Sequence, residues 1–337
     1  MGYELIKMEN KIKSLNEKDY FLILKNLKIS VIIPCYNEEV TIVSVVEKFH
    51  KILPGVPVYI YDNNSTDQTV DRARKAGAIV RTEALQGKGH VVRRMFSDID
   101  ADLYILIDGD ATYDVAAAPE MIRMALSDGL DMVNGARVAD CNEAYRRGHI
   151  FGNKVLTGIV ASIFGRRLSD MLSGYRVFSR RFVKSFPALS SGFEIETELT
   201  VHALELSMPV GEMPVRYIER PPGSISKLKT YRDGFRIVRM IFKLVKQERP
   251  LFFFSAIGIC IIFLSIFLGT PVIIDFFHTG LVKKLPTAVL STGLMILGFF
   301  SVGCGLILDS VALGRREVKR LAYLAVASLS HLSCDIL

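Results

Sequence analysis

A doubly wound α/β domain followed by a two-helix membrane hairpin is the architecture that this 337-residue sequence predicts. Three observations carry it. Between residues 29 and 136 short apolar runs alternate with helical patterns, which implies strand–helix units around a mostly parallel sheet. Residues 251–274 and 285–308 contain no charged side chain. At a rise of about 1.5 Å per residue each run is roughly 36 Å long, enough for a hydrocarbon core of about 30 Å. Finally, the apolar run Leu103–Ile107 ends in Asp108-Gly109-Asp110. That places two carboxylates at the carboxyl end of a strand, where open α/β sheets bind ligands.

The elements follow in order. Ile29–Ile33, Val56–Tyr61, Ala78–Arg81, Leu103–Ile107 and Asp131–Asn134 read as strands, being short, apolar and bounded by turn residues. Glu39–Leu53, Thr66–Ala76, His90–Ile99 and Ala117–Ser127 read as the helices between them. Residues 137–228 are less regular: a helix over Arg147–Phe164, a strand or bend at Tyr175–Phe178, a helix over Glu194–Leu206 and a strand at Pro209–Tyr217. The expected domain occupies 1–228. In 229–249, Arg232, Arg236, Arg239, Lys243 and Lys246 recur at spacings of four, three, four and three, one positive stripe on a helix. Phe235, Val238, Ile241, Phe242 and Val245 supply an apolar face beside it. Such a helix suits a membrane interface, where each basic residue near anionic lipid contributes about 1 kcal/mol.

The membrane region 250–309 is expected to hold the two spans, and 310–337 a tail. Lys227, Lys229 and the stripe precede the first span, and Arg315, Arg316, Lys319 and Arg320 follow the second, whereas the linker carries few charges. By the positive-inside rule both flanks are cytoplasmic, so the long N-terminal domain and both termini are expected to face the cytoplasm of a plasma-membrane protein. Met1–Lys28 is charged throughout and has no signal-peptide pattern. Cys35, Cys141, Cys260, Cys304 and Cys334 show no CxxC spacing, so neither disulfides nor zinc are expected.

Two carboxylates as close as Asp108 and Asp110 repel unless positive charge lies between them. A divalent cation held by carboxylates and by a substrate's phosphates meets that need. Asp-Gly-Asp is also ordinary turn chemistry. The ends of the first two strands add Pro34-Cys-Tyr-Asn37-Glu38 and Asp62-Asn-Asn-Ser65-Thr-Asp67-Gln-Thr69, which outline one crevice. Ser65 is placed to cap the helix expected from Thr66. Gly87-Lys-Gly89 taken alone is a plain turn more often than a phosphate loop. Glu194, Glu196 and Glu198 read as a solvated helix face with at most one functional member, and His149 and His202 as packing or surface residues.

Val31–Glu39, Asp62–Thr69, Gly87-Lys-Gly89 and Asp108-Gly-Asp110 occur in the order seen in family 2 glycosyltransferases, which the chain resembles over roughly residues 29–228. Ser173-Gly-Tyr-Arg-Val-Phe178 and Arg220-Pro-Pro-Gly-Ser-Ile-Ser-Lys-Leu228 resemble signatures of dolichol-phosphate mannosyltransferases and bacterial polyprenyl-phosphate glycosyltransferases. The resemblance implies a GT-A fold and sugar transfer from a nucleotide sugar, UDP- or GDP-linked, to the phosphate of a polyprenyl phosphate lipid. Carried over by position, Pro34, Tyr36, Glu38, Asp62, Lys88 and Asp108 would hold the donor nucleotide. Asp108 and Asp110 would bind Mg²⁺ or Mn²⁺, with Asp110 the more direct ligand. Arg137, Arg176, Arg220 and Lys227 would contact donor or acceptor phosphates, as would Arg147 or its neighbour Arg146. No nucleic-acid partner is implied, and a homo-oligomer is compatible with the sequence.

Two departures stand out. The second acidic position after the second strand is Asn63, and the aspartate that some bacterial members carry before the aromatic of Ser-Gly-Tyr-Arg is here Gly174, with Asp170 nearby. A phosphate monoester makes the second departure tolerable: its second pKa near 6 leaves it largely anionic, so it needs charge neutralisation and alignment, not a base. Direct displacement with inversion is therefore expected. A processive polysaccharide synthase would carry a Gln-x-x-Arg-Trp motif, and this chain has no tryptophan. A non-catalytic scaffold is the remaining rival, and the intact Asp108, Asp110, Arg176 and Lys227 argue against it.

Overall fold

A computed structural model describes residues 26–139, 158, 168–192, 194–222, 238–239, 242–243 and 245–329. Two compact units emerge, one within Met1–Ile237 and Lys319–Leu337, the other Val238–Val318. The first is built on a sheet of seven described strands: β1 Ile29–Cys35, β2 Val58–Asp62, β3 Ile79–Thr82, β4 Leu103–Leu106, β5 Met132–Ala139, β6 Arg176–Ser179 and β7 Val210–Tyr217. Between them lie α1 Ile42–Ile52, α2 Thr69–Lys75, α3 Lys88–Asp98, α4 Ala118–Ser127, α5 Arg180–Ser185 and α6 Ile195–Glu205.

β1 is buried on both faces, which is why its residues form a near-continuous apolar run. Alternation splits its side chains between two layers: Val31 and Ile33 join Ile42, Val46, Phe49 and Ile122, whereas Ile32 joins Tyr104, Phe178 and Leu199. The strand order is β3-β2-β1-β4-β6-β5-β7. β1 thus pairs in parallel with β2 on one side and β4 on the other. That reversal of winding opens a crevice outside the carboxyl ends of β1 and β4, the usual ligand position in such sheets. β6 runs antiparallel to both its neighbours, so the sheet is mixed, as in GT-A folds.

All the expected strands and helices that fall on described residues form, with shifted ends. β5 extends well beyond Asn134 because it pairs in parallel with β7 along its whole length. Helices expected from Glu39 and Thr66 begin instead at Ile42 and Thr69, since the intervening polar residues bond across loops. The expected helix Arg147–Phe164 lies outside the described residues except at Gly158, and α5 was not foreseen. Of the basic stripe in 229–249, Arg232 and Arg236 also lie outside them.

The second unit holds α7 Pro250–Thr279 and α8 Leu285–Leu324, both long and apolar enough to cross a membrane. They pack through small residues. A Cβ on Gly258 would stand 2.7 Å from the Gly298 carbonyl oxygen. Ser265 and Ser291 each donate to the other's carbonyl, at 2.7 and 2.9 Å. Close backbone approach and hydroxyl bonds of this kind hold helices together where apolar burial distinguishes little. α8 runs past the expected end at Leu308, and its last residues belong to the first unit. There Lys319 Nζ lies 2.7 Å from Glu205 Oε2, and Tyr323 Oη donates to Asp131 at 2.7 Å.

His202, on α6, is 3% exposed between the rings of Phe182 and Phe186, with Nε2 bonded to Ser185 Oγ at 3.0 Å. This bears out its reading as a packing residue. Burial first, and Lys319 second, push its pKa down to about 3. The folded chain keeps the ring neutral while the unfolded chain protonates below about pH 6.5, so stability is lost as pH falls below that value. Lowering the pH from 7.5 to 5 should cost wild type about 2 kcal/mol more than His202→Gln. Thermal unfolding of both proteins at the two pH values checks this.

Candidate active site

The loops after β1 and β2 are stitched to each other. Ser65 Oγ accepts the Asn37 N–H at 2.8 Å, Asn37 Oδ1 accepts the Thr66 N–H at 2.8 Å, and Thr69 Oγ1 accepts the Glu38 N–H at 2.7 Å. Asn37 and Asn64 adopt left-handed backbone, φ 53 and 64, which asparagine tolerates. Ser65 is therefore no helix cap: the helix starts later, and Ser65 joins the two loops. Asp62 is buried and accepts the Ser65 N–H, Glu38 is buried, and Tyr36 is 38% exposed. Pro34, in β1, sits in register with Tyr61. These four expected nucleotide-side residues thus share one edge of the crevice.

Beyond them lies a buried charge cluster. Lys88 Nζ is 2.5 Å from both Asp108 Oδ1 and Glu196 Oε1. Burial alone would lower the pKa of Lys88, but Asp108 and Glu196 outweigh it and hold the ammonium firmly protonated. Glu196 experiences the reverse balance, burial raising its pKa more than Lys88 lowers it, and its Oε2 has no hydrogen-bond partner. Gly87-Lys-Gly89 is no plain turn. A Cβ on Gly87 would stand 2.1 Å from the Ser191 carbonyl oxygen, and one on Gly89 2.1 Å from that of Ser190. Gly87 also has φ 137, a conformation that favours glycine. Glu198 secures the facing turn by accepting the Leu189 and Ser190 N–H groups at 2.8 and 2.7 Å. Glu196 and Glu198 are each 6% exposed, so the expected solvated face does not exist. Their spacing carried the clue, since residues two apart on a helix do not share a face.

Asp110 is 6% exposed. Its Oδ1 accepts the Thr112 hydroxyl at 2.6 Å, and its Oδ2 pairs with Arg220. Arg137 grips Asp170 in a bidentate pair, Nε–Oδ2 2.6 Å and Nη2–Oδ1 2.8 Å, with its guanidinium 5.6 Å from the centre of the Tyr217 ring. Gly174 faces Asp108: a Cβ there would lie 2.2 Å from Asp108 Oδ2. With Asp108 so placed, position 174 has no room for a carboxylate side chain.

Arg176 corrects an expectation. It is fully buried and donates to the Ser173 and Met171 carbonyls at 3.0 and 2.6 Å and to Thr200 Oγ1 at 2.9 Å. With its donors spent inside the wall, it shapes the crevice and does not reach a phosphate there. Lys227 and Arg147 lie outside the described residues.

Asp108 and Asp110 present hard oxygen donors in one crevice, and no cluster of three potential ligands occurs among the described residues. Mg²⁺ is commonly held by one or two carboxylates, with substrate phosphates and water completing the shell. The donor set fits a divalent cation of that kind.

The family model described as "Glycosyl transferase family 2" matches residues 30–186. The chain is 32% identical over 300 residues to glycosyltransferase AglJ of Haloferax volcanii, covering 87% of this chain and 97% of that protein. It is 27% identical over 221 residues to a dolichyl-phosphate hexose transferase of the same organism, covering 66% and 95%. Among solved structures, glucosyl-3-phosphoglycerate synthase from Mycobacterium tuberculosis, in complex with Mn²⁺, UDP and glucosyl-3-phosphoglycerate, superposes with a TM-score of 0.53 at 21% identity. That match covers 69% of this chain and 84% of the other, and supports the fold.

The Arg137–Asp170 pair generates a test. Asp170→Ala removes the carboxylate that the largely buried Arg137 guanidinium grips and should lower unfolding free energy by about 3 kcal/mol. Chemical denaturation of the purified variant beside wild type measures it.

Proposed function

This chain belongs to glycosyl transferase family 2, and we propose that it transfers a sugar from a nucleotide-sugar donor to the phosphate of a membrane polyprenyl phosphate. The product is a lipid-linked monosaccharide, formed by a single displacement with inversion. One observation carries the reading: the Asp108–Asp110 crevice shares a chain with two helices of membrane-crossing length. The dolichyl-phosphate hexose transferase that the chain resembles bears a lipid phosphate in its own name.

In this reading Pro34, Tyr36, Glu38 and Asp62 receive the nucleoside, with the half-exposed Tyr36 ring offering a stacking face. UDP is the favoured donor nucleotide, supported by the UDP complex of the similar fold, and GDP is the alternative. Asp108 and Asp110 hold Mg²⁺ or Mn²⁺, which when bound offsets charge on the departing nucleoside diphosphate. Lys88 keeps the Asp108 carboxylate in place beside the diphosphate. Arg137 and Arg220, with Arg147 and Lys227 from the segments beyond the described residues, orient phosphate oxygens through charge-assisted hydrogen bonds. Among the described carboxylates, Asp170 is engaged by Arg137 and is not needed as a base. The acceptor phosphate is already anionic near neutral pH, so the protein's task is alignment and charge balance. Residues 1–228 act as the cytoplasmic catalytic domain, 229–249 as the interfacial helix, 250–309 as the plasma-membrane hairpin and 310–337 as a cytoplasmic tail.

Membranes carrying the chain, supplied with polyprenyl phosphate, Mg²⁺ or Mn²⁺ and a panel of nucleotide sugars, should yield one labelled lipid-linked monosaccharide. Polymeric product, or none with any donor, overturns the reading. Asp110→Asn should reduce turnover about a hundredfold or more, because the metal's stabilisation of the leaving group is lost, while the protein still inserts into membranes. Undiminished turnover in that variant removes Asp110 from the metal site.

A further inference from the structure

The amide of Asn63 stands where relatives of this type are expected to carry an acid, and its bonds do not point to a nucleotide. Its Nδ2 donates to the Glu83 carbonyl at 2.9 Å and the Leu85 carbonyl at 2.8 Å, and its Oδ1 accepts the Gly87 N–H at 2.7 Å. The residue is 4% exposed. Both amide hydrogens are thereby spent on one loop, the connection between β3 and α3. Asn64 adds a weaker bond to the intervening Ala84 carbonyl, 2.9 Å and exposed. Only an amide can do this. An aspartate has no donors, and at pH 7 its second oxygen would face two carbonyl oxygens.

The clasped loop ends at Gly87, and Lys88 follows directly. On its other side the segment is pressed against the Ser190–Ser191 turn, with the Gly89 N–H donating to Ser191 O at 3.1 Å. Lys88 is thus presented between two fixed backbone contacts, and its side chain, 9% exposed, reaches Asp108 and Glu196. We propose that Asn63 is a positioning residue that acts through Lys88: its amide clasps loop 83–87 and so holds the lysine against Asp108. Asn63 has no role in reading the nucleotide base.

The first test needs no turnover. In the full-length protein, acetylation of Lys88 by an amine-reactive reagent is followed by mass spectrometry, with exposed Lys75 as internal reference. Asn63→Asp should speed Lys88 modification relative to Lys75 about tenfold or more, the scale expected when buried hydrogen bonds are lost. An unchanged ratio overturns the proposal. If that variant does not fold, Asn63→Ala removes the same clasp without adding charge and carries the same expectation.

The second test rests on the glycosyltransferase reading. Asn63→Asp and Lys88→Ala should each lower kcat/KM, whereas in the Lys88→Ala background Asn63→Asp should add less than about a twofold loss. Fully additive losses, or a changed preference between UDP and GDP donors, would show that Asn63 acts on its own and defeat the proposal. If wild type turns over no donor, the functional reading falls while the acetylation ratio still decides the role of Asn63.

Discussion

Everything around the crevice answers to one electrostatic constraint: carboxylates one residue apart at a sheet edge must be neutralised. In the structure the two partners are Lys88 for Asp108 and Arg220 for Asp110. Lys88 is itself buried, and a buried ammonium persists only with close counter-charge. Glu196 supplies the second carboxylate, so α6 must pack where it does, and the Ser190–Ser191 turn before it must meet Gly87 and Gly89 without side chains between them. Gly174 answers the same constraint from the opposite wall, by leaving room for the Asp108 carboxylate. Charge at two aspartates thus dictates glycine at three separated positions.

The parts of this arrangement that were legible in the sequence are those set by local pattern. Buried parallel strands are continuously apolar, so β1, β2 and β4 could be read to within a residue or two of their ends, and Asp108-Gly109-Asp110 could be placed at a carboxyl edge. Membrane-length helices are legible for a similar reason, because hydrocarbon excludes charge over a whole span. What escaped is non-local. Ser65 looked like a cap because capping is a local rule, yet its partner is Asn37, 28 residues away. Glu196 meets Lys88 across 108 residues, and no periodicity encodes that separation. Arg176 was assigned to a phosphate by its place in a motif that resembles the family's, whereas tertiary burial spends its donors on carbonyls of the Met171–Ser173 turn and on Thr200. Asn63 was visible as a departure from the family pattern, but the reason for it lies in three backbone groups of a loop 20, 22 and 24 residues on.

The same bookkeeping of partners bears on the nucleophile. Asp108 is held by Lys88, Asp110 by Arg220 and Asp170 by Arg137. Glu196 shares Lys88, and its burial disfavours the charged form that a base requires. Asp108, Asp110 and Asp170 therefore each have a cation on the carboxylate oxygens that a base would use. A sugar hydroxyl, which must shed its proton as it attacks, is poorly served by such a wall. A phosphate monoester has already lost its protons near neutral pH, and what it needs is guanidinium and ammonium groups able to shift from carboxylate to phosphate oxygen. Arg137 and Arg220 are paired in a way that permits such an exchange, because an anionic substrate competes for the same fork of donors. The crevice is thus chemically suited to an acceptor that brings its own negative charge, and this is the physical reason the proposal names a phosphate as nucleophile.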